Sequence, residues 1–342
     1  MKVVLRKWYK IGILFSVIFV IALLQACGSP NNDSKGEQSS GDNDTPAPEN
    51  SIPSTLNVGY IGTSELNLPA SPIGWGIEKG IIQEELKKHG ITEINLTAFP
   101  NGPDLNESLI SGRLDLGNLG DTPAILAKSS GATTKLISQP TTHNIGYLIG
   151  KKDGSKNLQD LEGKTIAIQK GSFMHRYVVG LLQKEGIENY NLIHMLSADG
   201  EAALARGEVD AMTNTGVRAL AQIEDGFTHL DDALSHPELI GSSVTVVPEE
   251  YLSKSPNIAE IWNTAIQKSI EDLKQHEDEY YQLIAEISNS TPELMKETSP
   301  IEWIEIQPFT DAGLKLLEGT KDFLVNEKLA PKDFEISEWI QE

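Results

Sequence analysis

Leu109-Ile110-Ser111-Gly112-Arg113-Leu114-Asp115-Leu116 recurs 95 residues later as Leu204-Ala205-Arg206-Gly207-Glu208-Val209-Asp210-Ala211. In each copy a helical stretch closes at Gly, an apolar residue and Asp follow, and a strand leads into a second helix, at Pro123–Ala127 and Val217–Ala221. Gly suits the left-handed position that ends a helix. Such junctions are common in α/β chains, but the matched Asp and the matched following helix favour duplication. A period of 95 is far longer than the units of a solenoid. Two similar α/β lobes with a cleft between them account for it.

The flanking sequence fits. Leu56–Ile61 reads as a strand, Ile73–Lys88 as one helix ending before Gly90, and Ile94–Phe99 as a strand. A helix over about 104–111, a strand at Leu114–Asn118, a helix over about 123–130 and a strand at Lys135–Gln139 follow. A second series runs Thr165–Ile168, Phe173–Lys184, Asn191–Leu196, Gly200–Ala205 and Val209–Thr213. Alternation of this kind predicts an α/β body with a mainly parallel sheet in each lobe. The last third reads as mostly helical, notably Ile258–Ile287, with one strand at Trp303–Gln307. The chain is expected to cross between lobes near Thr142–Ile145 and Gly241–Val244. That gives lobe one as 55–142 plus 243–342 and lobe two as 143–242.

Composition narrows the job. The 342 residues carry 49 Asp+Glu against 28 Lys+Arg, a formal charge of −21, and one Cys. Such a surface repels phosphodiesters, which argues against nucleic-acid binding. A lone Cys supports neither a disulfide framework nor a Cys-based metal centre. At the N-terminus Lys2, Arg6, Lys7 and Lys10 precede an apolar run, Ile11–Leu24, that is short for a transmembrane helix. This is the pattern of a secretory signal peptide over 1–26. Its end, Leu24-Gln25-Ala26-Cys27, resembles a bacterial lipobox, which implies lipidation of Cys27; a structural Cys after an uncleaved anchor is the alternative. Losing the four basic residues of the leader takes the charge from −21 to −25. Residues 28–54 are nearly free of apolar side chains and read as a flexible tether. The expectation is a soluble body held at the outer face of a bacterial membrane.

Ligands of open α/β sheets sit at the carboxyl ends of strands. The loops there are Gly62-Thr63-Ser64, Asn101-Gly102-Pro103, Gly120-Asp121-Thr122-Pro123, Lys170-Gly171-Ser172 and Asn214-Thr215-Gly216. Thr122 followed by Pro123 makes a well-formed helix start, and Ser172 can cap the next helix. Free N–H groups and the positive end of a helix hold small anions. One terminus from each lobe would form a clamp, with His175 over the same first turn as Ser172 and Lys170 beside it. Each cap taken singly reads as an ordinary solvated cap, and His175 singly as a core or surface histidine. Trp75 and Trp303 read equally as core or as ligand platforms.

Catalytic and metal signals are thin. Glu162-Gly163-Lys164-Thr165 ends like a phosphate loop, but Leu158 stands where its first Gly is required. There is no Gly-x-Ser-x-Gly or His-Glu-x-x-His, and the seven histidines lack metal-ligand spacing. No cofactor, no metal and no enzymatic activity are expected.

Phe99-Pro100-Asn101-Gly102-Pro103, Gly112–Gly117 and Gly120-Asp121-Thr122-Pro123 resemble the first lobe of substrate-binding proteins of aliphatic sulfonate ABC importers. The wider family includes nitrate- and taurine-binding proteins. Asp160–Ala167 and Lys170-Gly171-Ser172 with His175 resemble its second lobe, so the likeness covers roughly 55–215. It implies a two-lobed, type II periplasmic-binding-protein-like α/β fold, a small anion held between lobes, and delivery to the importer's permease by a monomer. By matching position it implies Asp121, Thr122, Gly171, Ser172 and His175 as ligand contacts. Thr63, Ser64 and Asn214 join them as cleft-lining candidates. Two departures stand out: Asn214-Thr215-Gly216 replaces a common Trp-Asp-Pro, and the loop Gly62–Pro72 is long. Nitrate or a pyrimidine as cargo is the alternative, as is a sensory lipoprotein that binds a protein partner.

Overall fold

The computed structural model describes residues 53–62 and 65–341. The expected leader, Cys27, most of the expected tether, Thr63 and Ser64 lie outside the described residues.

Among the described residues, ten strands form two five-stranded sheets. Sheet A contains β1 (Thr55–Ile61), β2 (Glu93–Phe99), β3 (Leu116–Gly120), β4 (Thr134–Asn144) and β10 (Gly241–Pro248), in the order β2-β1-β3-β10-β4. Sheet B contains β5 (Gly146–Gly150), β6 (Thr165–Ile168), β7 (Asn191–His194), β8 (Ala211–Thr215) and β9 (Thr228–Asp232), in the order β7-β6-β8-β5-β9. The chain leaves sheet A at Asn144, enters sheet B at Gly146 and returns to sheet A at Gly241.

Thirteen α-helices accompany them in the described residues. Around sheet A they are α1 (Pro72–Glu78), α2 (Ile81–Lys87), α3 (Gly102–Ile110) and α4 (Asp121–Ser129). Around sheet B they are α5 (Phe173–Lys184), α6 (Ser197–Ala205) and α7 (Gly216–Glu224). The C-terminal third adds α8 (Glu249–Lys254), α9 (Ile258–Leu273), α10 (Glu277–Ile287), α11 (Pro292–Thr298), α12 (Asp311–Asn326) and α13 (Ile336–Trp339).

The repeated motif makes the same joint in both sheets. Gly112 and Gly207 both take φ +72°. Asp115 accepts from the Asn57 N–H at 2.7 Å and donates its own N–H to the Asn57 carbonyl at 2.8 Å. Asp210 accepts from the Thr165 N–H at 3.1 Å and donates to the Thr165 carbonyl at 2.9 Å. Each Asp thus fastens the strand of its own motif to the parallel strand beside it, β1 in sheet A and β6 in sheet B.

The sheets are mixed, where the alternation predicts mainly parallel pairing. β1 is parallel to β2 and β3, but β10 runs antiparallel to both β3 and β4. In sheet B, β5 runs antiparallel to β8 and β9. These inserted strands arrive directly from the other sheet, a connection that a hydrophobic run does not encode. The helix expected over Ile73–Lys88 and the helical stretch Ile258–Ile287 are each divided. Gly80 at φ +74° separates α1 from α2, and a turn at 274–276 separates α9 from α10. The expected strand Trp303–Gln307 is instead a 3-10 turn at Ile301–Trp303, with a lone bridge from Ile304 to Thr141.

Sheet A is covered on both faces. Leu56, Val58, Leu116, Val247 and Trp262 belong to the core on one side, and Leu119, Val244, Val246, Leu317 and Trp339 to the core on the other. Side chains alternate along a strand, so Ser243 and Thr245 share the Val247 face while Ser242 shares the Val244 face. A separate core built on Leu148, Ile166, Tyr177, Leu181 and Met212 belongs to sheet B.

Candidate functional site

Toward the carboxyl end of β3 and the start of β10, the α9-facing side of sheet A turns from apolar to polar. Leu116 gives way to Asn118 two residues on, and Val247 to Thr245 and Ser243 two and four residues back. The polar stretch lines a cavity of about 190 Å³ bounded by Ser71, Asn144, His143, Trp262 and Trp303. Two of its lining residues carry a buried polar group that lacks any partner, Ser71 its hydroxyl and Trp262 its indole N–H. A buried donor left unpaired costs about 1–3 kcal/mol. Asn118 donates to Thr245 Oγ1 at 3.3 Å and Asn144 donates to Ser243 Oγ at 3.1 Å. His143 stacks on Trp303 with centroids 4.8 Å apart and planes at 11°. Burial pushes the His143 pKa down, against the opposing pull of Glu305, so the ring is neutral near pH 7. Among the described residues the wall contains no Asp, Glu, Lys or Arg. Its chemistry is that of neutral donors and aromatic faces, which can hold an anion or a neutral polar group without a counter-charge.

Ala70, Thr298 and Ser299 are shared with a second cavity of about 730 Å³ that reaches from the end of β1 to the start of α7. No side chain caps α7. The Thr215 hydroxyl donates to the Ile145 carbonyl at 2.7 Å, and Gly216 takes φ +52°. Arg218 on this wall is held by both oxygens of Glu201, at 2.8 and 2.7 Å.

The residues expected at the clamp have other surroundings. Asp121 is fully buried and lies on the opposite side of sheet A from the smaller cavity. One oxygen accepts from the Thr122 N–H and hydroxyl, and the other from the Ser242 N–H and hydroxyl at 2.8 and 3.0 Å. The carboxylate itself thus sits at the positive end of α4, and Thr122 is buried beside it. Ser172 caps α5 by accepting from the His175 N–H at 3.3 Å while donating to the Gln169 carbonyl at 2.7 Å. The Gly171 N–H donates to His175 Nδ1 at 3.3 Å. Burial, reinforced by Lys170, pushes the His175 pKa down. A Cβ on Gly171 would meet Pro103 at 3.4 Å and Leu126 at 3.8 Å, so this turn lies in the seam against α3 and α4. Asn214 is fully buried, donating to Glu201 and Gln222 and accepting from the Thr215 N–H. None of these six lines either cavity. Of the two tryptophans left open by sequence, Trp75 is core, its N–H on Asp272 at 2.8 Å, and Trp303 is cavity wall.

Sequence reading missed Ser71, Asn118, Asn144, Ser243, Thr245 and Trp262. The signal available was the period-two change from apolar to polar along Ser243-Val244-Thr245-Val246-Val247, readable only once that stretch is taken as a strand.

Comparison with known proteins agrees with this architecture. A protein of Escherichia coli (strain K12) named for binding aliphatic sulfonates is 31% identical over 165 residues, covering 47% of this chain. The chain spans about half of that relative, 49% of its length. A Bacillus subtilis (strain 168) protein of the same name is 24% identical over 277 residues, covering 78% of this chain and 82% of its own. The alkanesulfonate-binding protein of Xanthomonas axonopodis pv. citri, solved bound to MOPS, superposes with a TM-score of 0.70. It is 22% identical, with 84% of this chain and 98% of that one covered, a likeness of fold: the two-lobed periplasmic-binding-protein architecture. The family profile described as NMT1/THI5-like matches residues 86–280, more than half the sequence, and the chain belongs to that family.

Proposed function

We propose that this chain is the extracytoplasmic solute-binding protein of an ABC importer, capturing a small organic anion, foremost an aliphatic sulfonate, and handing it to the membrane permease. One observation carries the reading: among the described residues the smaller cavity is lined by neutral hydroxyl, amide and aromatic side chains, with Ser71, Asn118, Asn144, Thr245 and Trp303 among them and no Asp or Glu on its wall. A sulfonate oxygen accepts from such donors, and no fixed negative charge opposes it. The relatives' names agree with that chemistry.

The working unit is a monomer held to the membrane by lipid on Cys27, after removal of 1–26, through the tether that follows. Lobe one comprises 55–142 and 243–342, and lobe two comprises 143–242. Ligand shifts the open–closed equilibrium only through contacts made better in the closed form. Gly171, Ser172 and His175, in the seam between the lobes, serve that closure, as do Thr63 and Ser64. The protein binds its cargo without transforming it.

Thermal unfolding of the chain against alkanesulfonates, taurine, an aryl sulfonate, sulfate, nitrate and a pyrimidine tests the assignment. A ligand at 100 times its Kd adds about 2.7 kcal/mol of stability. A shift with organosulfonates alone supports it. A shift with nitrate or the pyrimidine alone keeps the importer and removes the sulfonate, and no shift with any of them favours a protein partner.

A further inference from the structure

Among the described residues, His143 is the one side chain on the wall of the smaller cavity that can turn cationic. Its Nδ1 lies 3.0 Å from Thr142 Oγ1. That hydroxyl donates its single proton to Glu305 Oε1 at 3.2 Å, so Nδ1 must be the donor of the pair. The network therefore assigns the neutral ring as the Nδ1–H tautomer and leaves a lone pair on Nε2. Nε2 has no protein partner among the described residues.

A lone pair at Nε2 repels the oxygens of an anionic cargo, whereas an N–H at the same place donates to them. The surroundings of the ring decide which form is reached. Trp303, stacked on His143, offers a π face that attracts the imidazolium. Glu305 favours the charged form as well, and burial opposes it. Glu302, on the turn that carries Trp303, is exposed. Tyr280 of α10 is on the wall too, and burial keeps its phenol neutral by pushing its pKa up. The elements α1, α9, β3 and β10 bring no charged side chain to the wall. An anion seated there is therefore the counter-charge that tips His143 toward its protonated form.

We propose that an anionic cargo is captured together with one proton, taken from solvent onto His143 Nε2, so that cargo and imidazolium enter the cavity as a neutralised pair. This rests on the anion reading above and adds to it a dependence on pH. Capture tightens on the acidic side of neutrality, and no bond of the cargo changes. A neutral cargo in the same cavity would bind without that dependence.

Calorimetric titration of the purified full chain with ethanesulfonate, which stays ionised throughout, tests it. At pH 6.5, in two buffers of different ionisation enthalpy, the wild type should take up roughly half to one proton per ligand bound. An opposite charge in contact shifts a pKa by about 1–3, so the Kd should fall about tenfold from pH 8 to pH 5.5. His143→Gln, which keeps a donor, and His143→Phe, which keeps the stack, should each abolish the uptake and hold the Kd within about twofold across that range. The wild-type uptake needs no variant, so misfolding of either substitution leaves the test intact. No uptake by the wild type, or the same uptake in the folded variants, overturns the role of His143 while sulfonate capture stands. No binding of ethanesulfonate at any pH overturns the anion reading on which it rests.

Discussion

Asp121 offers the sharpest test of how the cleft is built. Its carboxylate accepts four hydrogen bonds in a fully buried setting, two from Thr122 and two from Ser242. The buried Arg176 guanidinium also feels its charge while donating to the carbonyls of Glu238, Leu239 and Ile240. Asp121 from α4 and Arg176 from α5 therefore grip adjacent links of one segment, 238–242, by which the chain returns from sheet B to sheet A. Each bond to a charged acceptor is worth about 1.5–3 kcal/mol, and such bonds are not additive. Breaking a buried charge set by removing one member costs about 3–5 kcal/mol. Asp121→Ala is therefore expected to lose about 3–5 kcal/mol, up to half or more of a typical domain's stability. Asp121→Asn, which must turn an amide donor toward N–H groups, should lose somewhat less. Urea unfolding followed by circular dichroism, with and without sulfonate, is the assay. A loss under 1 kcal/mol together with a large drop in affinity would refute the reasoning and restore Asp121 as a ligand contact.

Three further outcomes follow from the same structure. Ser71→Ala removes an orphaned hydroxyl, so the ligand-free protein should be as stable or slightly more so, while sulfonate affinity falls roughly 2- to 12-fold by calorimetry. Asp115→Ala and Asp210→Ala should each cost about 1.5–3 kcal/mol and combine additively within about 0.5 kcal/mol, since the two joints lie in different sheets; strong coupling in the double variant would contradict independent lobes. His143 and His175 both have pKa values below the ordinary 6.5, chiefly from burial. The unfolded chain therefore takes up protons that the folded one resists. Their contribution is complete above pH 6.5 and declines as pH falls below it. The double variant His143→Gln/His175→Gln should show a flatter slope of urea midpoint between pH 7 and 5.

The repeat Leu109–Leu116 and Leu204–Ala211 was enough to read two α/β lobes, because its Gly and Asp are each demanded by local geometry. What escaped were features set by long-range pairing. β10 and β5 are inserted antiparallel between strands distant in sequence, and nothing in their composition names those neighbours. The site suffered for the same reason. Helix starts such as Asp121-Thr122-Pro123 and Ser172 are legible, but whether their N–H groups face a ligand depends on what else folds against them. For Asp121 that partner is Ser242, 121 residues away. Ser71 and Trp262, nearly two hundred residues apart, reach the wall of one cavity only through the folded chain.

The central claim is tested most directly by a crystal structure of the protein with hexanesulfonate. The account predicts the sulfonate group seated in the smaller cavity, within hydrogen-bond reach of its wall hydroxyls and amides. A sulfonate bound instead at the Gly171–His175 turn, or anywhere outside the cleft, would contradict it.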